Sequence, residues 1–345
     1  MKTRILTLAI LFLSPAHAAE GRIPVFSAPV TISAPGRYFV SRNLTASGSP
    51  VIEITAANVD LDLNGMEIRQ TTLTVPAIRV PSASEVRIHG GFVVGGSSGI
   101  EAASGRRLVV EGVTVTDADM KGIDVSDVDA VVISGNIVQD IASLPNGRCV
   151  GISGASHGIV ERNELRRCNI GVFVGSTTAV VVDRNRIEDL PGSGAGSGGI
   201  RIFQSSGIVV SENTLSAMPG FGIRMLTGTG CLLRQNVLRG AGVIDIDVNS
   251  NSNRIIGNSI TGSASFQAAL QVFGDRNVIE GNVTNDGSGW GIRLDAAASN
   301  NVYKGNFARG NAGAGGCTVV STADFCDNGG GNSSAGDNFL PAPGM

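Results

Sequence analysis

The sequence has 345 residues, and 26 Lys plus Arg set against 29 Asp plus Glu leave a formal net charge of −3. That balance excludes the strong positive field that a nucleic-acid or anionic-membrane partner requires. With 48 glycines and only 4% aromatic residues, the chain is not composed like a helical globule; it suits many short strands broken by turns.

Residues 1–18 read as an export signal. Lys2 and Arg4 open it, Ile5 to Leu13 is apolar, and Ala16-His17-Ala18 supplies the small-x-small cleavage pattern. Cleavage after Ala18 is expected to place the mature protein in a periplasm or outside the cell. The apolar run is far shorter than the roughly 20 residues a bilayer span needs, so no membrane span is expected. Residues 19–45, with Ile23, Val25 and Phe26, are expected to form an N-terminal cap.

From 46 to 310 the chain repeats. The pattern apolar-x-apolar-x-x-Asn-x-apolar appears as Val131-x-Ile133-x-x-Asn136-x-Val138, and again around Asn185 and Asn213. The asparagine recurs at 163, 236, 258, 282 and 306, with gaps of 22 to 28 residues, and Asn64, Gly91 and Val113 hold the same place earlier. A recurrence of that length over most of a chain means a solenoid. Each coil also opens on Gly-Ile or an equivalent, as in Gly122-Ile123, Gly151-Ile152, Gly199-Ile200, Gly222-Ile223 and Gly291-Ile292. Apolar residues alternate with period two throughout, so each coil carries three short strands. The reading is an all-β chain, a right-handed parallel β-helix of about eleven coils. The asparagines, and a shorter series at Asn253, Asn277 and Asn301, are expected to stack as amide ladders at about 4.8 Å.

Residues 311–345 lose the repeat and are expected to form a C-terminal cap and tail. Cys317 and Cys326 are nine apart there and are expected to bond, as are Cys149 and Cys168 in adjacent coils; an exported protein can oxidise both pairs. Cys231 falls on an inward apolar position and is expected to stay a buried thiol.

The opening segments Ala34-Pro-Gly-Arg-Tyr38, Asn43-Leu-Thr45 and Asn58-Val-Asp-Leu-Asp-Leu-Asn-Gly65 are similar to the start of many secreted bacterial proteins of the pectate-lyase-like parallel β-helix superfamily. The resemblance covers roughly residues 28 to 310 and implies polysaccharide-related activity. The catalytic signature strings of pectate lyases and polygalacturonases are absent, as is the Asp-Pro-His-Asp string of alginate epimerases.

Strand alternation turns the residue after each Gly-Ile outward. Stacked, these residues give one column: Glu53, Arg79, Glu101, Asp124, Ser153, Phe173, Arg201, Arg224, Asp245, Gln271 and Arg293. The next outward position gives a second, which includes Phe203, Asp247, Phe273 and Asp295, while Phe221 and Trp290 immediately precede their Gly-Ile strands. The insertions Leu144 to Cys149 and Pro191 to Gly198 are expected to wall one edge of this face. Asp245, Asp247, Asp295 and Arg293 are the candidate catalytic groups. Arg201, Arg224, Gln271, Phe203, Phe273 and Trp290 are the candidate substrate contacts.

In a lyase, an Arg or Lys would remove the proton α to a uronate carboxylate, with Ca²⁺ held by Asp247 and Asp295 as a candidate cofactor. In a hydrolase, Asp247 and Asp295 would act as acid and base, about 9.6 Å apart if they stack two strands apart. The expected partner is a polysaccharide bearing uronates, and the competing reading is a non-catalytic carbohydrate-binding protein. His89 and His157 lie in turn-like segments without a nucleophile at readable spacing. Gly-rich 192–199 lacks the Lys-Ser/Thr ending of a phosphate loop.

Overall fold

A computed structural model describes residues 21–141, 147–192, 194, 196–313, 317, 320–321 and 324–339. The expected export signal lies outside these residues, as do parts of both expected edge insertions and of the tail. No helix among the described residues is long and apolar enough to cross a membrane.

The strands stack into three parallel sheets that share one core, giving a right-handed β-helix of roughly a dozen coils. The exception to parallel pairing is Val320–Ser321, which runs antiparallel to Phe325–Asp327. The first sheet carries the Gly-Ile strands, for example Gly198–Ser206, Phe221–Thr229, Ile246–Asn251, Ala268–Val272 and Trp290–Leu294. The second carries the strands ahead of the asparagine, such as Val180–Asp183, and the third those after it, such as Arg186–Glu188. Ile100, Ile123, Val150, Val172, Ile200, Ile223, Ile246, Leu270 and Ile292 stack inward from the first sheet and are essentially inaccessible. Their alternation with outward polar residues is what commits these segments to half-buried strands.

The asparagines build the ladder the repeat implies. Asn185 Oδ1 accepts from the backbone N–H and the side-chain Nδ2 of Asn163, while Asn185 Nδ2 donates to Val160 O and to Asn213 Oδ1. The same bonds recur from Asn136 to Asn306 and end on Asn338. The second series, Asn253, Asn277 and Asn301, ends on Asn332. At a third corner Asn311 donates to Asp324.

Both ends are more regular than expected. Ile23–Val25 pairs in parallel with Gly36–Val40, so the N-terminal segment is already coil. Phe325–Asp327 pairs with Trp290–Leu294 and Ser333–Ser334 with Val302–Lys304, so the tail adds a further coil after residue 310. Cys149–Cys168 and Cys317–Cys326 are disulfides, and Cys231 is free and buried.

The glycine of Gly-Ile has a packing role. A Cβ at Gly199 would run into the side chain of Leu215 on the third sheet, and one at Gly222 into Leu238 and the Asp245 carbonyl. The slot therefore takes a small side chain, which explains two corrections to the expected columns. At Arg148–Ser153 the slot is filled by Cys149, and Gly151, not Ser153, pairs with Asp124 and Phe173 in the outward column. At Ile246–Asn251 the slot is filled by Asp245, and Asp247 takes the outward position beside Arg224.

Candidate active-site face

On the first sheet, strand pairing aligns Arg201, Arg224, Asp247, Gln271 and Arg293 as one outward column over five consecutive strands. Beside it run Phe203, Leu226 and Asn249, followed by Phe273 and Asp295. The sheet below this stretch is closed by its own ion pairs. Lys121 and Arg148 both hold Asp124, at 2.6 and 3.2 Å, and the Arg148 guanidinium lies 4.9 Å from the Phe173 ring centre.

Asp247 is held by Arg224 Nε at 2.9 Å and by Asn249 Nδ2 at 2.7 Å, and it is only 1% exposed. Burial pushes its carboxyl up to about 6 against the lowering effect of Arg224 and Asn249. Arg224 in turn lies 4.1 Å from the Phe221 ring centre, and Phe221 is buried. Gln271 is 1% exposed; its Nε2 donates to Asp295 Oδ2 at 3.3 Å, and its Oε1 has no partner. Arg293 lies 3.1 Å from Asp295 and its Nε is unpartnered.

Arg201 stands apart. Among the described residues it makes no ion pair, and its Nε is buried without a hydrogen bond. Burial and then the adjacent Arg224 charge lower its affinity for its proton. With Phe173 opposite it on the preceding strand, Phe203 two residues along its own and no ion pair among the described residues, Arg201 presents an open cationic site.

Three expectations for this face change. Asp245 does not project outward. Its side chain is fully buried, Oδ1 accepts from Ala241 N–H at 3.1 Å, and Oδ2 lacks a partner. Burial pushes this carboxyl up to about 6, opposed by the nearby Ser263 hydroxyl and the Ala241 N–H. Asp247 and Asp295 do not stack. They are two strands and two residues apart, about 12 Å at the backbone from sheet spacing and strand rise. Each carboxylate has its own partners, Asp247 with Arg224 and Asn249 and Asp295 with Gln271 and Arg293, so the structure does not pair them as one Ca²⁺ site or one acid–base couple. Trp290 is 5% exposed and packs with Ala268 and the Cys317–Cys326 pair, so it offers no open ring face.

The model of the right-handed β-helix region matches residues 76–198 and 198–329. The chain belongs to this right-handed β-helix family. A search of curated proteins finds no match. Among solved structures it is similar to the mannuronan C-5 epimerase AlgE6 A-module of Azotobacter vinelandii, at 15% identity and a TM-score of 0.60, covering 87% of this chain and 91% of that one. It is similar to the catalytic unit of the GH87 α-1,3-glucanase of Streptomyces thermodiastaticus, at 15% identity and a TM-score of 0.54 over 94% of this chain. It also resembles the Dettilon tailspike protein, at 12% identity and a TM-score of 0.56 over 91% of this chain. The chain spans 65% of the glucanase unit and 61% of the tailspike. At these identities the likeness is one of fold.

Two features of the face were not read from the sequence. Asn249 orients Asp247, a role that appears only once the register is known. Phe266, in the turn leading into Ala268–Val272, is 81% exposed. It lies two residues ahead of Ala268, which holds the place of Trp290 in this coil, so the Gly-Ile register gave no signal for it. The two histidines lie elsewhere, His89 against Asp60 at 3.1 Å and His157 against Asp129 at 3.2 Å.

Proposed function

We propose that this family member seats a uronate-bearing polysaccharide across the first sheet between Arg201 and Asp295 and cleaves it by elimination. The observation that supports the reading is Arg201, a half-buried cation without an ion pair among the described residues, aligned with Arg224 and Arg293 in a column that Phe203 and Phe273 run beside. A uronate carboxylate supplies the missing partner. A second uronate of the same chain, four strand spacings or about 19 Å along the face, meets Arg293, and neutralisation of its carboxylate there makes the adjacent C–H more acidic, which is the step an elimination needs. Asp295, the carboxylate of this set that reaches solvent, is placed to accept that proton beside Arg293. The C–H electron pair then forms the double bond as the bond to the leaving sugar oxygen breaks. Hydrolysis by an acid–base pair is less well supported, because Asp245 and Asp247 are both buried. The likeness in fold to an epimerase acting on mannuronan is consistent with an acidic chain but does not carry the argument.

The same burial of two carboxylates favours a second reading, a binding protein that performs no reaction. One experiment separates the two. Purified protein is incubated with polygalacturonate, alginate and a neutral glucan at low and high salt, and binding and ultraviolet absorbance are followed. The proposed reading expects retention on the acidic chains that weakens with salt and a rising absorbance from unsaturated products. Retention without absorbance supports the binding protein. Equal retention on the neutral glucan removes the role of Arg201.

A further inference from the structure

We propose that the first-sheet face selects a heteropolysaccharide whose uronates are set apart by about three neutral sugars, in preference to a chain made of uronates alone. The inference rests on the glycan reading above and names the class of chain it takes.

The outward columns carry three arginines over five consecutive strands, and the three are not equivalent. Arg201 makes no ion pair among the described residues. Arg224 is committed to the buried Asp247, which Asn249 also holds. Arg293 stands at the far end beside Asp295. Between Arg201 and Arg293 the columns offer Phe203, Leu226, Asn249, Gln271 and Phe273, none of them cationic, and the closed Arg224–Asp247 pair. Positive charge within reach of a ligand therefore stands at the two ends of the face, with a neutral and partly apolar stretch between.

The two ends are four strand spacings apart, about 19 Å. A sugar in an extended chain is about as long as one strand spacing, so a glycan that sets a uronate on Arg201 sets the fourth sugar beyond it on Arg293. Carboxylates on the three sugars between would leave water for aromatic and aliphatic side chains, or for an arginine already neutralised, with no counter-charge in exchange. Neutral sugars there give up no charge hydration, and their apolar faces cover Phe203, Leu226 and Phe273. A face that gathered anions by charge alone would rank the chains the other way, because a homopolyuronate carries the most charge.

The test is calorimetric binding of three eight-sugar oligosaccharides to the parent and to Leu226→Lys, with thermal melts as a fold control. One has glucuronate at every fourth sugar (from deacylated gellan), one at every second (from hyaluronan), and the third is octagalacturonate. The one-in-four oligosaccharide is expected to bind the parent roughly tenfold tighter than octagalacturonate, with the hyaluronan oligosaccharide between them. Leu226→Lys puts a cation into the neutral stretch and is expected to tighten octagalacturonate several-fold more than the one-in-four chain. If octagalacturonate binds the parent as tightly as the one-in-four chain or more tightly, or if Leu226→Lys shifts both alike, the spacing is overturned while the acidic-glycan reading stands. If the parent binds none of the three, both fall.

Discussion

Asp245→Asn is expected to make the protein more stable at neutral pH, although it alters a fully buried residue of the core. Among the described residues Asp245 accepts a hydrogen bond from Ala241 N–H and pairs with no cation, and its carboxyl sits at about 6 against an ordinary 3.8. A folded-state value raised above the unfolded one means that the folded chain binds the proton more tightly. Stability from this group is therefore complete below pH 4 and is lost as the pH rises through 6. A shift of about two units corresponds to about 3 kcal/mol, at 1.36 kcal/mol per unit. The amide removes the charge, keeps Oδ1 as acceptor for Ala241 and offers a donor toward Ser263. Guanidinium unfolding of parent and variant at pH 4 and pH 7.5 is the assay. The variant should gain up to about 3 kcal/mol at pH 7.5 and nearly nothing at pH 4. Asp247, also near 6, should leave a similar decline in both proteins. A difference between the two proteins that is the same at both pH values would refute the reasoning.

Asn213→Ala removes the acceptor for Asn185 N–H and Nδ2 and the donor to Val182 O and Ser211 O. At about 1–3 kcal/mol per buried group left unpaired, it should cost several kcal/mol in the same unfolding assay, far more than an exposed Asn→Ala change. Arg201→Ala should weaken binding of an acidic oligosaccharide at least tenfold at low salt and less at high salt, with neutral sugars unaffected, as read by calorimetry. Replacing Cys149 and Cys168 together by Ser should lower stability by about 3 kcal/mol, the loop-closure value for a short loop, checked by thermal melting. Cys231 should resist thiol reagents until the chain unfolds, because it is buried and burial pushes its thiol up; labelling of the native protein would contradict its placement.

Much of the architecture was legible because the repeat writes each contact many times. The asparagine spacing specified both ladders, and the phase of Cys149 against Cys168 specified their bond. The columns failed at two coils for a definite reason. A slip of two residues preserves the alternation, so Ile244, Ile246 and Val248 satisfy the core in either register. At the first coil a count would have exposed the slip: Phe173 to Asn185 and Arg201 to Asn213 are both twelve residues, as is Gly151 to Asn163, whereas Ser153 to Asn163 is ten. At the second the count is ambiguous, because Asp245 and Asp247 stand thirteen and eleven residues before Asn258. Glycine marks the strand in most coils, but the site selects for smallness against the third sheet, and Cys149 and Asp245 meet that requirement too. Burial of Asp247 under Arg224 and Asn249 depends on two neighbouring strands at once and has no signature within one.

The three side chains that finish the corner ladders, Asp324, Asn332 and Asn338, belong to the last coil. A solenoid of this kind is a one-dimensional crystal, and its terminal layer is a growth front that will accept any matching layer. Here that layer is supplied by the same polypeptide as the rest, so the three ladders are finished from within the chain. Coils inserted or deleted in the middle would leave that terminus intact, and a family of different lengths could arise without new ends. A chain cut before residue 324 would instead carry Asn301, Asn306 and Asn311 on an open front, where the nearest matching layer is another molecule.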